Sequence, residues 1–232
     1  MEPVKERSHN LLRSRLEKAE RTHTRRVLSP RTGLDFCSND YLAFSEDEEL
    51  RLRILEELKR PDLQLGSTGS RLIRGNSEIF EEVEAELARF CGREAALIYA
   101  SGYQANVGLL SAIAQSGISG GSGGDLVFSD ELNHASIIDG IRLSGARKKI
   151  YRHLDMADLR TLLIENQNDD ALKIIVTESL FSMDGHHAPL EKIVQLAEEF
   201  SASVIVDEAH ATGLWGRFDS GQAGGLVQEK RP

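Results

Sequence analysis

Between residues 95 and 207 the chain alternates short β-branched or apolar runs with longer amphipathic stretches, a pattern that restricts it to a parallel sheet with helices on its faces. Runs 95–99, 125–128, 149–151, 172–177 and 204–207 have strand length, whereas 102–115, 134–143, 155–166 and 190–200 read as helices. The expected class is therefore α/β, a three-layer α/β/α arrangement with a mostly parallel sheet. Val204, Ile205 and Val206 read as a central strand buried on both faces.

Ahead of that region the sequence is more polar. Residues 5–26 are basic, with Leu11, Leu12 and Leu16 at helical spacing, which predicts an amphipathic arm packing one face on something larger. A short extended piece is expected over 34–42, and a surface helix over 46–59 that Pro61 stops. Glycines and hydroxyls beside Arg71 and Arg74 in 66–75 make a loop that would approach an anion closely. Asn76 or Ser77 caps the next helix, Glu78, Glu81 and Glu82 load its positive end, and Val83, Leu87 and Phe90 form its buried stripe. The division expected is an N-terminal arm and leading segment over 1–45 and the sheet domain over 46–232. Residues 117–124, rich in glycine and serine, read as a flexible surface loop.

Charge and cysteine usage exclude some functions. A net charge of -9 with 28% charged residues leaves no basic surface for nucleic acid or anionic membrane. Cys37 and Cys91 form neither a disulfide framework nor a metal-spaced pair, which fits a reducing cytoplasm. The first residues lack the apolar core of a signal peptide, and no apolar run is long enough to span a bilayer. A cytoplasmic protein is the expectation.

If the strands are parallel, the residues just after them converge on one edge of the sheet, where open α/β sheets hold ligands. Asp207 leaves the last strand there, and His210 follows in a turn ending at Gly213. A carboxylate in that position needs a cation or several donors. Asp207-Glu208-Ala209-His210 also spells the acidic motif of a helicase, but that chemistry needs a phosphate loop ending Gly-Lys-Ser/Thr, and the chain has no Gly-Lys pair. The bland alternative is an Asp that caps a turn beside a hydrogen-bonded His. Ser101 and Gly102 open a helix that would hold a phosphate on backbone N–H groups, or else form an ordinary cap. His134 would stack on a planar ligand or cap its helix, and Ser182 and Asp184 serve equally as turn formers. His186 and His187 have no ligand partner at metal spacing, so no metal is expected. Together the loops offer a phosphate cup, a ring stacker, a hydroxyl and a carboxylate, the set that a planar, cationic, phosphate-bearing cofactor requires.

Six ordered motifs carry a resemblance: Asn39-Asp40-Tyr41-Leu42, the 66–72 loop, Ser101-Gly102-Tyr103-Gln104-Ala105-Asn106, Asn133-His134-Ala135-Ser136, Ser182-Met183-Asp184-Gly185 with Ala188-Pro189-Leu190, and 207–213. On these the chain resembles the α-oxoamine synthases. The resemblance implies the large domain of a fold type I pyridoxal-phosphate transferase, the cofactor pyridoxal 5'-phosphate, an acyl-CoA or acyl-carrier-protein thioester and a small amino acid as substrates, and a homodimer. The first and fifth motifs are most similar to the branch that joins a pimeloyl thioester to L-alanine. Carried over by motif, Asp207 would pair with the ring nitrogen, His210 with the phenolic oxygen, His134 with the ring face and substrate, and Ser182 with the cofactor. The backbone of Gly102 and Tyr103 would hold the phosphate, and Arg25 and Asn39 would meet the substrates. The lysine that the family uses to hold the cofactor covalently, in a Thr-x-x-Lys segment, has no counterpart here, since Lys230 sits in a polar tail. The expectation is thus a truncated large domain without the C-terminal small domain, inactive by itself. Other α-oxoamine synthases and a non-catalytic partner subunit stay open as alternatives.

Overall fold

The computed structural model describes residues 4–28, 30, 32–63, 65–114 and 124–214. Most of the expected surface loop over 117–124 and the tail around Lys230 lie outside these residues. The chain divides into two compact units after Asn39, six residues before the division expected from sequence.

The first unit is built on α1 (Val4–Arg21). Its end is closed by Thr22, whose Oγ1 donates to the Lys18 carbonyl at 3.0 Å, and by the Thr24 N–H, which donates to the Ala19 carbonyl at 2.9 Å. Leu11, Leu12 and Leu16 lie along this helix more than half exposed, and residues 32–39 follow without a strand.

In the second unit Asp47 caps α2 (Glu48–Glu57) by accepting from the Leu50 N–H at 2.8 Å. A π-helical turn, Arg71–Gly75, leads into α3 (Glu78–Phe90). Then the alternation begins: α4 (Gly102–Ile113), β1 (Leu126–Asp130), α5 (Ala135–Ser144), β2 (Arg147–Tyr151), α6 (Met156–Glu165), β3 (Lys173–Glu178), α7 (Leu190–Glu199) and β4 (Ser203–Asp207). Local signals set the limits. Ser101 and Asp155 accept first-turn N–H groups of α4 and α6, and Gly145, at φ 72°, ends α5 in the left-handed conformation that glycine adopts without a Cβ clash.

The four strands pair in the order β2-β1-β3-β4, all parallel. Strand alternation sends Leu126, Phe128 and Ile175 to one face, where α6 and α7 cover them with Leu159, Leu163, Ile193 and Leu196. Val127, Ile174 and Val176 face the other way, onto Leu110 and Ala114 of the α4 segment and Ile137 and Ile141 of α5. Helices on both faces give the three layers expected. Each of these side chains contributes roughly 1.5–3 kcal/mol when removed from water, so the core lies where β1 and β3 are sandwiched.

Three expectations are corrected. Residues 95–99 form no strand: the Ile98 N–H donates to the Glu84 carboxylate at 2.7 Å, where a strand would need a neighbouring ladder. β4 is not central but lies at the edge of the described sheet, with Ser203 exposed and the other four residues half-buried. In α3 the buried residue is Ala88, while Val83 and Leu87 stay about 40% exposed, so the Val83-Leu87-Phe90 stripe is only partly covered.

Candidate active site

Register and alternation together place the candidate residues. Ile205 pairs with Val176 on the α4/α5 face, so two residues further on Asp207 and Glu178 emerge on that face, opposite each other at the C-terminal ends of β4 and β3. There the Asp207 carboxylate meets α4: Asn106 Nδ2 donates to its Oδ2 at 2.7 Å, and the Ala209 N–H donates to its Oδ1 at 2.9 Å. Each oxygen keeps a second lone pair for a further donor.

His134 is both the helix cap and the ring that the sequence reading weighed against each other. It precedes α5, its Nδ1 accepts from the Ser136 N–H at 3.2 Å, and the imidazole itself is exposed. Tyr103 on α4 stands edge-on to it, with centroids 6.3 Å apart at 81°. The Tyr103 hydroxyl donates to Asp139, a bond that pushes its ionisation above the ordinary phenol range. Beneath His134, the Glu178 carboxylate accepts the His134 N–H at 2.6 Å. Burial, and then the Asp207 and Asp130 carboxylates, push the Glu178 carboxyl up to about 7, against the pull of that N–H bond.

The first turn of α4 leaves the N–H groups of Gly102 and Tyr103 without intrahelical acceptors, and a side chain added at Gly102 would meet nothing within 4 Å. That open helix end is suited to a phosphate. His210, three residues beyond Asp207, has its Nδ1 2.6 Å from the Tyr41 hydroxyl, with the two rings edge-on at 6.0 Å. As a donor set, one carboxylate with free lone pairs, an exposed imidazole face, a second imidazole and a helix end with open N–H groups fit a planar, protonated ring that bears a phosphate.

Not every candidate joins this group. Ser182 stands exposed on a turn closed by Phe181 N–H to His186 O at 3.0 Å, and its side chain makes no bond to Asp207, His134 or His210 among the described residues. Arg25 and Asn39 belong to the first unit, where Arg25 pairs with Glu20. In the 66–75 loop Arg71 is not available to an anion. It forks onto the Glu84 carboxylate and Asn76 Oδ1, leaving Arg74 to line a cavity of about 290 Å³ with Thr68, Phe80, Val83 and Ile98. His186, read as a plain surface residue, has its Nδ1 3.0 Å from His153 Nε2.

Tyr41, Asn106, Ser136 and Glu178 had no role assigned from sequence. Tyr41 sits in a quoted motif, as do Asn106 and Ser136, whose side chains bond each other at 3.0 Å. For Asn106 the available signal was a polar residue between Ala105 and Val107, at the start of the apolar run that continues to Leu110.

Residues 31–230 match the family described as aminotransferase class I and II. Among curated relatives, the 8-amino-7-oxononanoate synthase of Lysinibacillus sphaericus is 45% identical over 197 residues, 85% of this chain and 48% of that protein. That of Geotalea daltonii is 44% identical over 218 residues, 94% of this chain and 53% of the relative. The chain thus spans about half the length of the curated relatives it matches. A solved serine palmitoyltransferase of S. paucimobilis, whose bound ligand combines PLP with myriocin, superposes with a TM-score of 0.69 at 32% identity, covering 77% of this chain and 44% of that one. The 8-amino-7-oxononanoate synthase of Francisella tularensis gives a TM-score of 0.61 at 29% identity, covering 79% and 47%.

Proposed function

The chain belongs to the aminotransferase class I and II family, in its α-oxoamine synthase branch, and on that premise we propose that the sheet edge around Asp207 binds pyridoxal 5'-phosphate for a decarboxylating condensation. The observation that carries this reading is the convergence of Asp207, His134 and the open N-terminus of α4 on one face of the sheet. When bound, the cofactor supplies an electron sink for bond breaking at the α-carbon of an amino acid.

The chain's own residues have these roles. Asp207 accepts a proton-bearing ring nitrogen on a lone pair that Asn106 and Ala209 leave open, which keeps that nitrogen protonated. His134 presents its exposed face to the ring, and the N–H groups of Gly102 and Tyr103 hold the phosphate. His210, oriented by Tyr41, donates to the phenolic oxygen. The roles of Ser182, Arg25 and Asn39 toward cofactor and substrate rest on the motifs rather than on contacts.

For the reaction, the proposal is transfer of a pimeloyl group from an acyl-CoA or acyl-carrier-protein thioester to L-alanine, with release of the free thiol and CO2, by a homodimer; the motif resemblance implies this, and the shared name of the curated relatives, 8-amino-7-oxononanoate synthase, supports that branch. A second reading, a synthase of the serine palmitoyltransferase type, is favoured by the higher TM-score of that enzyme. The two are separated by a chimera in which the second half of the Lysinibacillus sphaericus relative continues this chain. Product from pimeloyl-CoA with L-alanine supports the first, and product only from serine with a long-chain thioester supports the second. No product from either pair, in a chimera that binds the cofactor, rejects both.

A further inference from the structure

Asp207 ends β4 and His134 caps α5, yet a continuous set of hydrogen bonds joins them. Asn106 Nδ2 donates one proton to Asp207 Oδ2 at 2.7 Å and the other to Ser136 Oγ at 3.0 Å. Ser136 Oγ lies 2.7 Å from His134 Nδ1, and Ser136 is fully buried. We propose that Asn106 and Ser136 are positioning residues that tie Asp207 and His134 into one unit, fixing the carboxylate's orientation and holding His134 as its Nε2–H tautomer.

The direction of the bonds follows from elementary donor counting. A carboxylate only accepts, so the amide must present its NH2 to Asp207 and cannot be flipped. Its second proton then fills one of the two lone pairs of Ser136 Oγ, which leaves that oxygen both a lone pair and its own proton for His134 Nδ1, so the main chain decides the direction of the last bond. The Ser136 N–H donates to the same nitrogen at 3.2 Å, so Nδ1 faces two donors and the ring proton belongs on Nε2. Close helix packing fixes the geometry: a Cβ at Gly140 would lie 2.9 Å from the Asn106 carbonyl oxygen, so α4 and α5 approach at this very turn.

The tautomer claim stands on the chain itself, whereas the carboxylate claim rests on the proposed pyridoxal site, and one pair of measurements separates them. Nitrogen-15 NMR of the histidine rings in the cofactor-free chain should show His134 protonated on Nε2, and the Nδ1–H form should become detectable in Ser136→Ala. Titrations with pyridoxal 5'-phosphate and with its carbon analogue lacking the ring nitrogen should show Asn106→Ala weakening the former by about tenfold and the latter unchanged. Asn106→Ser serves as a smaller second change if the alanine variant loses its dispersed spectrum. A His134 tautomer identical in the parent chain and in Ser136→Ala would overturn the relay, as would equal weakening of both ligands by the Asn106 change. If the unmodified chain binds neither ligand, the pyridoxal reading fails and the tautomer comparison decides the relay by itself.

Discussion

Glu178 and Asp207 stand directly opposite each other across the β3–β4 ladder, two carboxylates on one face at the same sheet edge. Only Asp207 is bonded to a side-chain amide, while Glu178 is buried and its carboxyl is pushed up to about 7. A carboxyl that binds its proton more tightly when folded favours the fold most below its ordinary value of 4.5, and that benefit is lost as pH rises through about 7. The cofactor-free chain should therefore lose stability between these limits, by up to about 3 kcal/mol. Glu178→Gln, which keeps an acceptor for the His134 N–H, should flatten that part of the profile in urea unfolding curves.

Gly140→Ala tests the close approach of α4 and α5. The added Cβ would meet the Asn106 carbonyl oxygen at 2.9 Å and Leu110 Cβ at 3.0 Å, atoms that have no flexible end to move. A loss of about 1–3 kcal/mol in unfolding free energy is expected. Gly69→Ala, where a Cβ meets nothing within 4 Å, should stay within about 0.5 kcal/mol of the parent.

The elements that were legible in the sequence are those whose pattern is local. β3 was expected over 172–177 and runs Lys173–Glu178, and α7 was expected over 190–200 and runs Leu190–Glu199, because β-branched runs and a 3.6-residue stripe need no knowledge of partners. Strand order is different. Val204, Ile205 and Val206 read the same at the edge of a sheet as at its centre, and 95–99 has strand composition but spends its Ile98 N–H on Glu84. Asp207 and His134 were found as strand-end residues, but the Asn106–Ser136 connection joins positions 106, 136 and 207, and no periodicity reports a contact at that separation.

Glu84 should govern part of the acid response. The Arg71 guanidinium, then the Ile98 N–H, hold its carboxyl down at about 2. A lowered value means that the stabilisation is present above the ordinary 4.5 and is lost as pH falls toward 2. Glu84→Gln is expected to lower Tm at pH 7, with the difference from the parent closing by acid pH in thermal scans.

Tyr41→Phe removes the hydroxyl that sits 2.6 Å from His210 Nδ1 and leaves the edge-on ring contact in place. Loss of one orienting bond should weaken pyridoxal phosphate binding by roughly three- to tenfold, with Tm nearly unchanged. Fluorescence titration of the two proteins side by side reads that ratio.

The most direct measurement is a visible-absorbance titration of the chain with pyridoxal 5'-phosphate, run beside Asp207→Ala and His134→Ala. Saturable binding is expected, weakened at least tenfold by each substitution, with inorganic phosphate competing at the start of α4. Binding that is absent, or unchanged by either substitution, would contradict a cofactor site at this sheet edge.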